Sequence, residues 1–385
     1  MDDTIRPLEL LTDFECTNAI LKERAGPACF HLTTRPDGAL NNANFADADY
    51  YCAFRLRNPN PVAVQVDITI EVSSLPNEGR SLAVRRRPGG ANPGADSWQP
   101  IPRESTDVDT EAGTTRFRVP VLPEESLDVT TMTWMSASEV YADLSNLGER
   151  YPEASIRKIG QTPGGRWIPA VEMFDGVPRE KPLFCIGATN QSHELGTIAT
   201  LSLVNEVLAG SLRELTKRFR LVFLPLTNPD GNALGTCMTN ACRQNLQFGY
   251  GEDDTAMPPE CAAIWQYLET LNPSLFLEFH SYPHLDRPSF RPYVWDLDLY
   301  ADKKNRSIAD RFYALLDSVS PPPPLTIKAG TESEKHLRSS LVSRLIRCRG
   351  TPATLYKLHN RETVGVNCAQ AALVLSKLAS ELYLE

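Results

Sequence analysis

The stretch from Leu183 to Thr200 constrains the fold more than any other part of this chain. An uncharged apolar run, Leu183–Ala188, ends in a polar turn, and a small-residue helical pattern, Gly196–Thr200, follows. A short apolar run bounded by a turn reads as a strand buried on both faces, as in a parallel sheet with helices above and below. The side chains of the turn, among them Gln191, His193 and Glu194, then stand at the carboxyl end of that strand. Open α/β sheets build their sites there.

The rest of the C-terminal two thirds repeats this rhythm. Apolar runs at 221–226 and 275–279 and a strand-like Ser155–Gly160 alternate with helical patterns, and Ser136 is placed to cap a helix running through Asp143 and Leu147. Alternation of this kind predicts an α/β unit over residues 133–385, with a mixed, mainly parallel sheet and helices on both faces. The pattern over Ala369–Leu384 predicts a terminal amphipathic helix. Residues 1–132 differ. Short alternating runs, Tyr50–Leu56, Val62–Val72 and Thr115–Val121, are separated by Asn, Pro and Gly clusters. They predict a small antiparallel β-sandwich domain. Residues 85–97, three arginines followed by Pro-Gly-Gly, read as an exposed loop.

Composition narrows the function. A length of 385 residues accommodates two domains with separate cores. A formal charge of −9 argues against nucleic acid as a partner, and no apolar run reaches the length of a membrane span. Nine cysteines without paired spacing read as the reduced thiols of a cytoplasmic protein. Cys237 and Cys242 read as small hydrophobes rather than metal ligands.

Several motifs in this order resemble the zinc carboxypeptidase family. Lys181-Pro182, Glu194 and Ala199-Thr200 match the first zinc motif, in which a strand runs into a His-x-x-Glu turn and a helix follows. His280-Ser281-Tyr282, after an apolar strand, matches the third. Asn228–Gly231 matches the Asn-Pro-Asp-Gly turn, and twelve residues on stands Ala241–Asn245, similar to the segment whose arginine grips a substrate carboxylate. Tyr141, Tyr151-Pro152 and Gly165-Arg166 resemble the opening of the catalytic domain, and a preceding sandwich resembles the cytosolic members.

The resemblance implies roles and exposes departures. Glu194 and His280 fall on metal-ligand positions, but the family's histidine is replaced by Gln191. A neutral amide is a poor partner for zinc. The implied zinc site is therefore weak or absent, with Gln191 or His193 as the third ligand. Arg243 takes the carboxylate clamp, with Asn245, His193 and Tyr282 as further substrate contacts. The polarising arginine expected within 235–240 is missing. Counting eight residues back from Gly365 places Lys357 where the family has its catalytic glutamate, and His359 alternates to the same strand face as a second candidate base. An ammonium at 357 is expected within salt-bridge reach of Glu194, occupying the space of a lost cation. Three functions stay open: a hydrolase of C-terminal peptide or amide bonds with an atypical metal site, acting on a peptide or small carboxylate-bearing substrate, a pseudoenzyme that binds a peptide or partner without cleaving it, and a metal-free enzyme using Lys357.

Overall fold

The computed structural model describes residues 5–40, 51–71, 80–88, 94, 97–174, 177–251, 257–284 and 287–382. Ten strands come first: β1 (Glu9–Leu11), β2 (Ala19–Gly26), β3 (Cys29–Thr34), β4 (Ala53–Arg57), β5 (Val64–Glu71), β6 (Ala83–Arg87), β7 (Gln99–Pro100), β8 (Thr106–Asp109), β9 (Thr114–Val121) and β10 (Ser126–Thr130). They form two five-stranded sheets, ordered β1-β4-β10-β6-β7 and β2-β3-β5-β9-β8. In β5 the apolar residues Val64, Val66, Ile68 and Ile70 alternate inward and are buried, as a half-buried strand requires. They meet Phe54, Leu56, Leu127 and Val129 of the other sheet in one shared core. Pairing is antiparallel, as the alternating runs predict, except between β3 and β5, which run parallel.

The exposed loop expected over residues 85–97 is corrected by the structure. Arg85–Arg87 belong to β6, and Arg85 is fully buried. Residues 89–93, 95 and 96 of that expected loop lie outside the described residues.

The remaining chain alternates: α1 (Ala137–Arg150), β11 (Ser155–Gln161), β12 (Trp167–Met173), β13 (Leu183–Ala188), α2 (Gly196–Ala209), α3 (Glu214–Arg218), β14 (Arg220–Leu224), α4 (Pro229–Leu234), α5 (Pro259–Leu271), β15 (Leu275–Tyr282), β16 (Arg291–Trp295), α6 (Lys303–Ser318), β17 (Leu325–Ile327), α7 (Glu332–Leu337), α8 (Leu341–Arg349), β18 (Ala353–His359) and α9 (Val364–Glu381). Ser136 caps α1 as its sequence predicts. Its hydroxyl accepts from Glu139 N at 3.2 Å, and the Glu139 carboxylate accepts from Ser136 N at 2.7 Å, a closed capping box. The terminal helix starts at Val364, ahead of the expected Ala369, because Thr363 caps it through Val366 N.

The eight strands form one mixed sheet, β11-β12-β14-β13-β15-β18-β16-β17. β13 pairs in parallel with both β14 and β15, and β15 in parallel with β18. Every residue of β13 and β15 is buried, so both faces of the sheet centre are covered. From β13 the chain goes outward to β14 and then returns to β15 on the opposite side. That reversal is a topological switch point, and the crevice beyond these carboxyl ends is the expected ligand position.

Candidate functional site

The turn after β13 is shaped by the packing of α2. A Cβ at Gly196 would collide with the Phe279 carbonyl oxygen of β15, so only glycine lets the helix start so close to the sheet. Leu195 N donates to Ser281 Oγ at 3.1 Å, and Glu194 N to Gln191 O at 3.1 Å. These bonds hold the Glu194 side chain over the end of β15, where it accepts from Ser281 N. His280 lies on β15 and Lys357 directly opposite it on β18 in the parallel register. Strand pairing alone therefore brings His280 and Lys357 together.

Four charged or ionisable groups meet within hydrogen-bond distance. Lys357 Nζ lies 3.3 Å from Glu194 Oε1 and 3.3 Å from His280 Nδ1. His280 Nδ1 is 3.2 Å from Glu194 Oε2 and 3.1 Å from Gln191 Oε1. His280 Nε2 faces the Glu278 carboxylate at 3.0 Å. Glu194, Glu278 and His280 are buried, and the Lys357 side chain is 12% exposed. Burial pushes the Glu194 carboxyl up, but Lys357, and then His280, outweigh it and hold the group below the usual carboxylate range. An ionised Glu194 paired with an ammonium follows.

This donor set does not fit a zinc ion. Catalytic zinc takes three protein ligands at about 2.0–2.2 Å and leaves one position open. Here Gln191 offers an amide, and Lys357 places a positive charge between the two remaining donors. Among the described residues no group of three or more His, Cys, Asp or Glu side chains could hold a metal.

The other expected site residues are spread more widely. Tyr282 lines the cleft, with its hydroxyl 2.6 Å from that of Tyr293 and its ring 5.4 Å from Lys357 Nζ. His193 turns away from the cleft. Its ring stacks on Tyr51 at 3.8 Å, and its nitrogens are engaged by Asn232 O and Ser192 Oγ. Burial drives its pKa down to about 3, so the ring packs there in its neutral form, away from the cleft lining. His359 is buried off the cleft lining, and burial together with Arg361 lowers it to about 4. Its Nδ1 already accepts from Arg361 N at 3.0 Å. Arg243 faces the N-terminal residues instead. It sits in the left-handed region at φ 58°, donates Nε to Gly38 O at 3.0 Å and accepts from Leu40 N. Asn245 is buried within its own turn, accepting from Phe248 N at 3.2 Å. None of His193, His359, Arg243 and Asn245 lines the cleft.

Two contributors have weak sequence signals. Glu278 stands two residues before His280, on the same strand face, and that period-two spacing could have marked it. Asp37 gives no local sign. Its carboxylate accepts from Cys237 N at 2.9 Å and Thr239 N at 3.2 Å, as well as from Met238 N. It thereby fixes the backbone of residues 237–239, of which Cys237 and Met238 line the cleft.

The cleft itself has a volume of about 580 Å³. Glu194, His280 and Lys357 form its floor, and Met238, Phe248, Tyr293, Ile327, Leu337 and Leu355 make much of its wall. A mostly apolar wall over a few polar groups suits a ligand with an apolar body and a polar end.

Comparison with known proteins agrees with this architecture. Residues 140–253 match the zinc carboxypeptidase family model. A metallo-carboxypeptidase from Burkholderia cenocepacia superposes with a TM-score of 0.78 at 16% identity, covering 97% of this chain and 98% of that one. A metallo-carboxypeptidase from Pseudomonas aeruginosa, in complex with (2-guanidinoethylmercapto)succinic acid, superposes with a TM-score of 0.75 at 16% identity, covering 96% and 98%. No curated protein sequence matches the chain. The α/β unit thus has the zinc carboxypeptidase-like fold, and the chain resembles that family.

Proposed function

We propose that this chain is a carboxypeptidase-like binding protein whose cleft takes a peptide end or a small carboxylate-bearing ligand without metal-dependent hydrolysis. The observation that carries this reading is the position of Lys357 Nζ, 3.3 Å from both Glu194 and His280. Metal-assisted hydrolysis needs a cation that polarises the carbonyl and activates water. It also needs a carboxylate or comparable base to take the proton. An ammonium ion-paired to Glu194 is a donor, not an acceptor. His359, the other candidate base, is buried outside the cleft lining. What stays intact is a ligand-sized cleft at the switch point of the sheet. The bound succinic acid derivative in the Pseudomonas relative supports a carboxylate-bearing ligand class.

The test uses the full chain purified from zinc-supplemented growth. Zinc content is measured, and N-acetylated tripeptides ending in leucine, phenylalanine, arginine or glutamate are offered, with binding followed by calorimetry and cleavage by amino-acid release. Substoichiometric zinc, no released amino acid and saturable binding of at least one peptide are expected. Stoichiometric zinc with cleavage would restore the hydrolase, and absence of binding by every peptide would end the binding reading.

A further inference from the structure

We infer that the Lys357 ammonium is a resident replacement for a metal ion, so that removing it converts this protein into one that recruits an external cation. The inference rests on the same contact as the non-hydrolytic reading but makes a separate claim, about what holds the site together.

Metal-ligating histidines generally present one ring nitrogen to the metal and give the other N–H to a carboxylate, which fixes the ring. His280 has the geometry of that second half: Nε2 faces Glu278 Oε2 at 3.0 Å, with both side chains about 1% exposed. Its other nitrogen, Nδ1, lies 3.3 Å from Lys357 Nζ. A carboxylate, Glu194, stands on the same cation, with Oε1 at 3.3 Å and Oε2 at 3.5 Å. Ser281 O closes the shell at 3.5 Å. These separations suit a hydrogen-bonded ammonium and exceed a zinc–ligand bond by more than 1 Å. The protein therefore keeps a shell that orients around a cation and supplies that cation covalently.

Charge gives the same answer. Glu194 and Glu278 are both buried. Removing the partner of a buried charge is strongly destabilising. A divalent ion and Lys357 cannot occupy this point together, because both would sit against Glu194 Oε1 and His280 Nδ1. Lys357 reaches the site from a central strand in fixed register with His280, and the Tyr282 ring lies 5.4 Å from its nitrogen. Backbone pairing and that ring keep the ammonium in place.

The experiment compares thermal melts and calorimetric zinc titrations of the wild-type chain, Lys357→Ala and the double variant Gln191→His/Lys357→Ala. Zinc chloride, a chelator and ethylammonium chloride are added in turn. The wild-type Tm is expected to ignore all three. Lys357→Ala should melt lower and recover part of the loss with zinc or ethylammonium. The double variant, with a third ligand, should bind zinc more tightly than the single one. If Lys357→Ala does not fold alone, recovery of its far-UV circular dichroism on refolding with zinc or ethylammonium is the readout, and failure to recover with either overturns the inference. It is also overturned if both variants fold yet stay blind to every cation. That result beside a peptide-binding, non-cleaving wild type leaves the functional reading standing, whereas a zinc-loaded, cleaving wild type removes both.

Discussion

Arg243 shows how far a side chain's motif position can differ from its use. Its guanidinium donates to Gly38 O, and the residue takes φ 58° to do so. Arg243→Ala is therefore expected to leave peptide binding in the cleft unchanged by calorimetry. It should cost stability by about 0.5–1.5 kcal/mol, the value of one hydrogen bond. A loss of binding in this variant would return the arginine to the cleft. Residues tied to a strand register were the legible ones. Counting from Gly365 and alternating along an apolar run gave a side chain facing Glu194, and Lys357 Nζ is 3.3 Å from it. Side chains whose partners come from distant segments were not legible. His193 is fixed by Tyr51, and Arg243 by Gly38, each from the N-terminal region. No local pattern in 189–195 or 241–245 encodes those neighbours.

Among elements, β4, β6, β10 and α1 are joined by a buried ion cluster. Asp128 on β10 accepts from Arg85 Nε at 3.1 Å, from Arg87 Nε at 2.6 Å and from Arg55 Nε. Arg85 lies 4.6 Å from the Trp98 ring centroid and 4.3 Å from that of Trp134, and it also reaches Glu139 of α1 at 3.4 Å. Burial raises the Asp128 carboxyl, but Arg55 and Arg85 outweigh it and keep the group below its ordinary range. Asp128→Ala would leave a buried guanidinium with one weaker partner and should destabilise the fold by about 3–5 kcal/mol. Urea denaturation measures this, and a cost below about 1 kcal/mol would show that the cluster contributes little. Three consecutive arginines before Pro-Gly-Gly look like a solvated loop because charge is normally exposed. Their acceptor lies about forty residues away, so the sequence of this segment carries no sign that Arg85 is buried. The α/β sheet was easier to read, because runs such as Leu183–Ala188 and Leu275–Phe279 carry their burial in their own composition.

Across the whole molecule, residues ahead of β4 and β6 meet the segments after β13 and β15 at two histidines. His193 stacks on Tyr51, and His284 Nδ1 lies 2.6 Å from Arg80 Nη1. Burial lowers the His193 pKa from 6.5 to about 3. Burial, and then Arg80, lower His284 to about 3 as well. His359 is lowered to about 4, by burial and then Arg361. All three depress in the same direction, so the sign is common. In the unfolded chain each imidazole takes a proton below about pH 6.5. The folded protein refuses that proton until about pH 4 or 3. Their contribution is therefore fully present above pH 6.5 and is lost progressively as pH falls toward the folded values. Each proton taken up only by the unfolded chain removes about 1.4 kcal/mol per pH unit. Glu194, held below the usual carboxylate range, adds a further loss at still lower pH. Tm is expected to decline steadily below pH 6.5 rather than hold a plateau to pH 5. His193→Gln supplies the control: it should start from a lower Tm at pH 7.5 and fall less steeply between pH 6.5 and 4. Parallel slopes for the variant and the wild type would show that His193 protonates freely in the folded state, and that its stack on Tyr51 does not couple the two parts of the molecule to pH.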